Sequence, residues 1–156
     1  MSQGEIFYLT KKGIKDLEAE YQSLKKIRMM KTQNKVPEIW ESEDLNPEYL
    51  SFREDLDLLE ARMAELENVL KNSVIIKKPS KEKLKIVGLG ATVRVKVGGE
   101  KGDFIIVGTL EANPALGKIS NESPVGRALL GHKVGDEVVV SSPVKTIYKI
   151  QKVKYQ

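Results

Sequence analysis

Apolar residues recur at alternating steps of three and four through Ile14, Leu17, Tyr21 and Leu24, the spacing that lays one apolar stripe along a helix of coiled-coil type. Thr10 stands just ahead of the run and suits its cap. After Leu24 the apolar step loosens into a stretch holding Lys25, Lys26, Arg28, Lys31 and Lys35, and Pro37 disfavours helix past Val36. The pattern predicts a first helix over Lys11–Val36. A second stripe, Tyr49, Phe52, Leu56, Leu59, Met63, Leu66 and Leu70, keeps the three-four step without a miss. Asn46 suits its N-cap, Pro47 its first helical position, and Leu45 can staple onto Leu50, which predicts a second helix over Pro47–Asn72. Each helix has about 26 residues, or about 39 Å at 1.5 Å per residue. Two matched stripes joined by a short connection predict an antiparallel hairpin, because either helix alone leaves its stripe in water.

From Ser73 to Lys85 the heptads stop and the chain becomes basic around Pro79, marking a linker. Beyond it, β-rich runs alternate with glycine: Ala91–Val97, Phe104–Leu110, Glu137–Val140 and Thr146–Val153. One short helix is predicted within Ser123–His132, with Ser123 as cap, Pro124 in the first turn and Gly131 past the last. The fold class is therefore α+β: a long N-terminal antiparallel coiled-coil hairpin over 1–76, then a small antiparallel β-sheet domain with one short helix over 77–156.

The 156 residues suit one domain or two small ones, and a hydrophobic fraction of 40% supports a packed core. The chain has no cysteine and one histidine, His132. Disulfide frameworks, thiolate zinc sites and cysteine nucleophiles are excluded, and a histidine-built metal site is disfavoured. The N-terminus lacks the pattern of a signal peptide and no apolar run approaches a membrane span, so a cytoplasmic protein without membrane contact is expected. The net charge of +4 conceals a split: residues 1–76 hold 11 Lys and Arg against 15 Asp and Glu, residues 77–156 hold 15 against 7. Such asymmetry suggests two modules with different partners.

Between Pro37 and Tyr49 the acidic residues are Glu38, Glu41, Glu43, Asp44 and Glu48, with no Lys or Arg among them. Clustered carboxylates repel one another but provide the hard oxygens that Mg²⁺ takes, usually with ligands from elsewhere; the other reading is a solvated acidic loop. The cations from Lys25 to Lys35, joined by Arg53 across the hairpin, would attract phosphates, or else form a solvated helix face. Trp40 either stacks on a partner or plugs the open end of the hairpin. His132 is expected to meet the C-terminal charge of its helix. The basic C-terminal half suits nucleic acid on charge alone, though Phe104, Tyr148 and Tyr155 are few aromatics for stacking. Gly88, Gly90, Gly98 and Gly99 form no phosphate-binding fingerprint.

Several segments together resemble one family. Tyr8-Leu9-Thr10-Lys11-Lys12-Gly13, Asn46-Pro47-Glu48-Tyr49, Ala61 to Leu70, Gly117-Lys118-Ile119-Ser120 and the run from Ser123-Pro124-Val125-Gly126-Arg127 to Gly135-Asp136 resemble, in order, the sequence of the bacterial GreA/GreB family of transcript cleavage factors, its GreA members in particular. The resemblance implies an FKBP-like C-terminal domain that docks at the rim of the RNA polymerase secondary channel, and a hairpin that enters the channel to reach the 3′ end of backtracked nascent RNA. It implies an accessory factor, expected as a monomer, that activates the polymerase's own nuclease and holds no cofactor when isolated. The Mg²⁺ would be shared with the polymerase active centre.

By residue, Asp44-Leu45 resembles the family's tip Asp-Leu, and Arg53 resembles an arginine near the RNA, with Lys31 and Lys35 as further RNA-contacting candidates. The family's tip usually reads Gly-Asp-Leu-x-Glu-Asn-Ala-Glu-Tyr, whereas this chain reads Glu-Asp-Leu-Asn-Pro-Glu-Tyr, two residues shorter and without the second acid. Glu43 is the first choice to replace it and Glu41 the second, so the expected tip acids are Asp44, Glu43 and Glu41, with Asp44 and Glu43 toward metal. Relatives of this shape that block the channel instead of cleaving give the alternative, a secondary-channel regulator or inhibitor. A proline isomerase, suggested only by the implied fold, ranks last.

Overall fold

The computed structural model describes residues 4–33, 46–141 and 143–156. In chain order the elements are β1 (Phe7–Leu9), α1 (Lys11–Gln33), α2 (Pro47–Lys71), β2 (Ser73–Ile75), β3 (Ala91–Val97), β4 (Glu100–Val107), β5 (Lys118–Ser120), α3 (Pro124–Leu129), β6 (Glu137–Val140) and β7 (Thr146–Tyr155), with short 3₁₀ turns at Lys81–Lys83, Thr109–Glu111 and Pro114–Leu116. The contacts divide the chain into two compact units, residues 14–72 and residues 1–13 with 73–156. This division differs from one drawn after residue 76 because β1 and β2, on either side of the helices, pair with each other in parallel, Phe7 opposite Ser73 and Leu9 opposite Ile75.

Unit 14–72 is an antiparallel helical hairpin. Arg62 on α2 meets Glu20 on α1, Tyr21 meets Glu67, and Lys31 meets Asp55, so positions rise along one helix as they fall along the other. α2 starts as its sequence requires: Asn46 Oδ1 accepts the Tyr49 N–H at 3.2 Å, with Pro47 in the first turn. Met63, Leu66 and Val69 are buried. The buried seam thus steps from Leu66 to Val69, with Leu70 half-buried beside it. The start of α1 is closed by Thr10, whose hydroxyl accepts the Gly13 N–H at 3.0 Å.

The other unit carries a five-stranded sheet in the order β5-β4-β3-β7-β6. Neighbours run antiparallel apart from β5, which lies parallel to β4 along Ile105–Val107. Strand β4 begins at Glu100, earlier than Phe104, because Gly98 and Gly99 at φ of 56° and 87° close a two-residue hairpin between Val97 and its partner Glu100. Two consecutive positive φ values are the geometry that matches the twist of paired strands, and glycine adopts them without steric cost. Val87, Ala91, Val93, Val95, Ile106, Ile119, Leu129, Val138 and Ile150 form the core on one sheet face, with α3 beside it. Phe104 and Tyr148 meet edge-on above it, ring centroids 6.3 Å apart.

Helix α3 is fixed by backbone contact. Ser123 Oγ donates to the Ser120 carbonyl at 2.7 Å and accepts the Gly126 N–H at 3.1 Å. A Cβ on Gly126 would stand 2.0 Å from the Ser120 carbonyl oxygen, so only glycine lets the helix lie this close. Gly126→Ala should therefore lower stability by about 1–3 kcal/mol through forced overpacking, whereas Gly102→Ala, which meets nothing within 4 Å, should leave it unchanged or slightly higher; urea titrations of the two variants check the contrast. Asn46→Ala should cost about 1 kcal/mol of hairpin stability, read from the helical signal in far-UV circular dichroism during denaturation.

Candidate functional site

On α1 the three-four step does not stop at Leu24. Ile14, Leu17, Tyr21, Leu24, Arg28 and Lys31 are all partly buried, while Lys25, Lys26, Met29 and Met30 are exposed. Arg28 and Lys31 occupy the next two seam positions, so two of the cations read as a solvated face lie on the inter-helix stripe with their alkyl stems against it. The Lys31 ammonium stands 3.5 Å from Asp55 and 6.0 Å from the Phe52 ring centroid, within reach of a weak cation–π contact. Met63, Leu66 and Val69 are thus buried toward one end of α2, while toward the end of α1 the stripe passes to Arg28 and Lys31.

Midway, Arg62 donates through Nε and Nη2 to the two oxygens of Glu20 at 2.8 and 3.0 Å, and through Nη1 to Glu65 at 3.0 Å. This fork geometry is the strongest form of a surface ion pair. The bond from Arg62 holds the Glu20 carboxyl below its ordinary range, and the paired carboxylates hold Arg62 in its charged form. The Tyr21 hydroxyl donates to Glu67, and that bond to an anion pushes its pKa up. Sequence periodicity marks apolar seams and gives no sign of these polar cross-links, which appear only once the two helices are set in register.

Of the expected site residues, Lys31 is held as described and Arg53 is exposed on α2 directly after Phe52. Glu48 lies in the first turn of α2, where a carboxylate faces the positive end of the helix. Asp44, Glu43, Glu41, Glu38, Lys35 and Trp40 lie outside the described residues. Among the described residues, no group of three or more His, Asp or Glu side chains comes together to hold a metal ion.

In the other unit the motif from Gly117 to Asp136 is structural. Gly117, Gly131 and Gly135 take φ of 74°, 83° and 94°, where a side chain would be strained. The His132 N–H donates to the carbonyl of Leu129, the last residue of α3, at 3.2 Å, while its ring pairs with a carboxylate. Its Nδ1 lies 3.2 Å from Asp136 Oδ2, an oxygen that also accepts the Lys133 N–H at 3.0 Å. The backbone bond from Lys133 is the main reason the Asp136 carboxyl sits below its usual range, with His132 second. Burial raises the Tyr155 hydroxyl, which donates to the Ile86 carbonyl at 2.6 Å. Glu111 has a role no local pattern announces: its carboxylate accepts both the N–H and the hydroxyl of Thr10, at 2.8 and 2.6 Å, across 101 positions of sequence.

Comparison with known proteins places both halves. Residues 7–75 match the family profile described as transcription elongation factor, N-terminal, and residues 81–155 match that described as transcription elongation factor, GreA/GreB, C-term. The chain is 42% identical over 147 residues to transcription elongation factor GreA of Clostridium acetobutylicum, covering 92% of each. It is 38% identical over 141 residues to GreA of Thermomicrobium roseum, covering 89% of this chain and 90% of the relative. The solved GreA factor homolog 1 of Thermus thermophilus aligns over 96% of this chain and 99% of its own at 29% identity, with a TM-score of 0.41, too low to bear on the arrangement of the parts. On the two profile matches and on the identity to these relatives, the chain belongs to the GreA/GreB family of transcription elongation factors.

Proposed function

We propose that the chain binds bacterial RNA polymerase in the cytoplasm through its secondary channel and stimulates endonucleolytic cleavage of backtracked nascent RNA, returning arrested complexes to elongation. Membership of the GreA/GreB family carries this reading, and the hairpin supports it physically. Two paired helices of 23 and 25 residues extend about 35–38 Å at 1.5 Å per residue, a rod suited to a narrow channel. Along that rod, Arg53 and the Lys31–Asp55 pair would meet the RNA backbone, Lys31 by exchanging a partly exposed carboxylate for a phosphate. Lys35 would extend the same contact toward the tip.

Asp44 and Glu43, with Glu41 as the second candidate for the second acid, would act at the tip. Carboxylate oxygens are the donors a hard divalent cation accepts, so the donor chemistry fits Mg²⁺, with remaining ligands from the polymerase. When bound, the ion would supply activation of the attacking water. The chain's own part is to place negative charge beside the reacting phosphate and orient that water, which makes it an accessory to the polymerase rather than a free-standing nuclease. A second reading, a channel-binding inhibitor, has one observation in its favour: the tip sequence is shorter than the family's usual pattern and lacks its second acid.

Added with Mg²⁺ to a stalled, backtracked elongation complex, the protein should release short 3′ RNA fragments and allow the transcript to resume growth on a gel; intact RNA with slowed nucleotide addition would establish the inhibitor instead. Asp44→Asn keeps size and removes charge, so cleavage should fall by at least about a hundredfold, as when an electrostatic stabiliser is lost, while affinity for the polymerase is retained. Equal cleavage by variant and parent would remove Asp44 from the role.

A further inference from the structure

The two ends of the five-stranded sheet are finished differently. At the β5 end Asn113 bridges to Lys118, each N–H donating to the other's carbonyl at 2.8 and 3.1 Å, so that edge is covered. At the other end β6 pairs with β7 alone. The Ile150 N–H donates to the Asp136 carbonyl at 3.0 Å, and the alternation of an antiparallel ladder then turns the N–H and C=O of Glu137 and Val139 away from β7. Natural sheets blunt open edges with lysine, proline, a bulge or an inward-pointing charge. Beyond being short, β6 has none of these: Val138 and Val140 are its buried residues, Glu137 and Val139 its exposed ones. On the outer face Val139 stands opposite Ile147, and the two are 49% and 53% exposed.

A second β6, antiparallel to the first about a two-fold axis, fits this edge, and charge selects the register. An axis through Glu137 sets two carboxylates opposite each other, which destabilises the pairing. An axis through Val138 sets Glu137 against the apolar Val139. An axis through Val139 sets that residue against its own copy, Val138 against Val140 on the inner face, and Glu137 against Ser141. The outer face then carries one unbroken apolar row across the junction, from Ile147 and Val139 of one copy to Val139 and Ile147 of the other. In the next row the charges are complementary. Glu137 stands between its register partner Lys149 and Lys145 of the second copy, which one further step of the β6–β7 register sets beside Ser141. Among the described residues Glu137 makes no ion pair within its own chain. The same surface serves both copies, so the contact closes at two.

We propose that the chain self-associates weakly through β6, two sheets joining edge to edge with Val139 on the two-fold axis. A junction of four-residue strands is small, in the range of contacts that form and dissolve with concentration, and it does not depend on the function proposed above.

Sedimentation velocity of the full chain over a dilution series up to about 1 mM should show a monomer–dimer equilibrium. Val139→Pro removes an N–H directed away from β7, a change that edge strands tolerate, and Val139→Lys puts a gatekeeping charge at the axis; each should raise the dimer dissociation constant at least about tenfold. The lysine variant, at a position already exposed, keeps the result readable if proline disturbs the strand, and far-UV circular dichroism checks that both fold. Glu137→Lys should weaken the dimer as well, and Glu137→Lys/Lys145→Glu should recover it, because the attraction across the axis returns with its signs exchanged. A synthetic peptide of residues 135–141 should compete with the dimer. A parent that stays monomeric over the whole series overturns the proposal. So does a dimer that both Val139 variants leave intact, which puts the contact elsewhere, or a double variant no tighter than Glu137→Lys, which removes the register. Equal competition by a scrambled peptide of the same composition would mean that the edge accepts any extended chain, and the assignment to a second copy would fall.

Discussion

A ladder of three residue pairs joins the strand that leads into the helices to the strand that follows them, and Leu9 at its end is 1% exposed. So short a two-stranded ladder has little stability of its own. It persists because the rest of its unit is built onto it: the Ile76 N–H donates to the Leu9 carbonyl at 2.8 Å, and Gly108 approaches the Tyr8 carbonyl so closely that a Cβ there would stand 2.1 Å from the oxygen. Parallel strands require a long crossover, and here the crossover is the entire hairpin.

Toward the ladder, Met63, Leu66 and Val69 are buried; farther out the same stripe carries Phe52 facing Lys31 and positions that are only partly covered. Two helices without a third layer cannot bury a stripe completely, and ion pairs of the Arg62–Glu20 kind add register more than stability when half exposed. Charged residues at seam positions weaken the pairing but keep cations along the helices.

The hairpin was legible because its signals are local. The unbroken stripe of α2, the Asn46 cap and Pro47 all act within a few residues of where they stand. Reading α1 by apolar residues alone hid the continuation through Arg28 and Lys31, since a long stem with a charged tip counts as polar in any pattern while packing as an aliphatic chain. The three-residue strands β1, β2 and β5 are too short to show alternation and exist through their partners. Gly98-Gly99 was visible as a pair of glycines, yet its meaning as a hairpin turn depends on strands on both sides. His132 reads as a helix-terminal residue because it follows a helix; its Asp136 contact arises from a turn that sequence spacing alone does not draw. The tip acids rest on resemblance and chemistry, and the open edge of β6 required the sheet order.

The carboxylate that completes the start of α1 belongs to Glu111, 101 positions downstream of the Thr10 groups it receives. A chain emerging from the ribosome delivers both helices long before that residue. Through most of synthesis the first turn of α1 has only Thr10 itself as a cap, and β1 lacks the Gly108 segment that packs on Tyr8. The residues of the hairpin are thus synthesised early and its root is completed late, so a chain stalled before residue 111 lacks the carboxylate that receives the Thr10 groups.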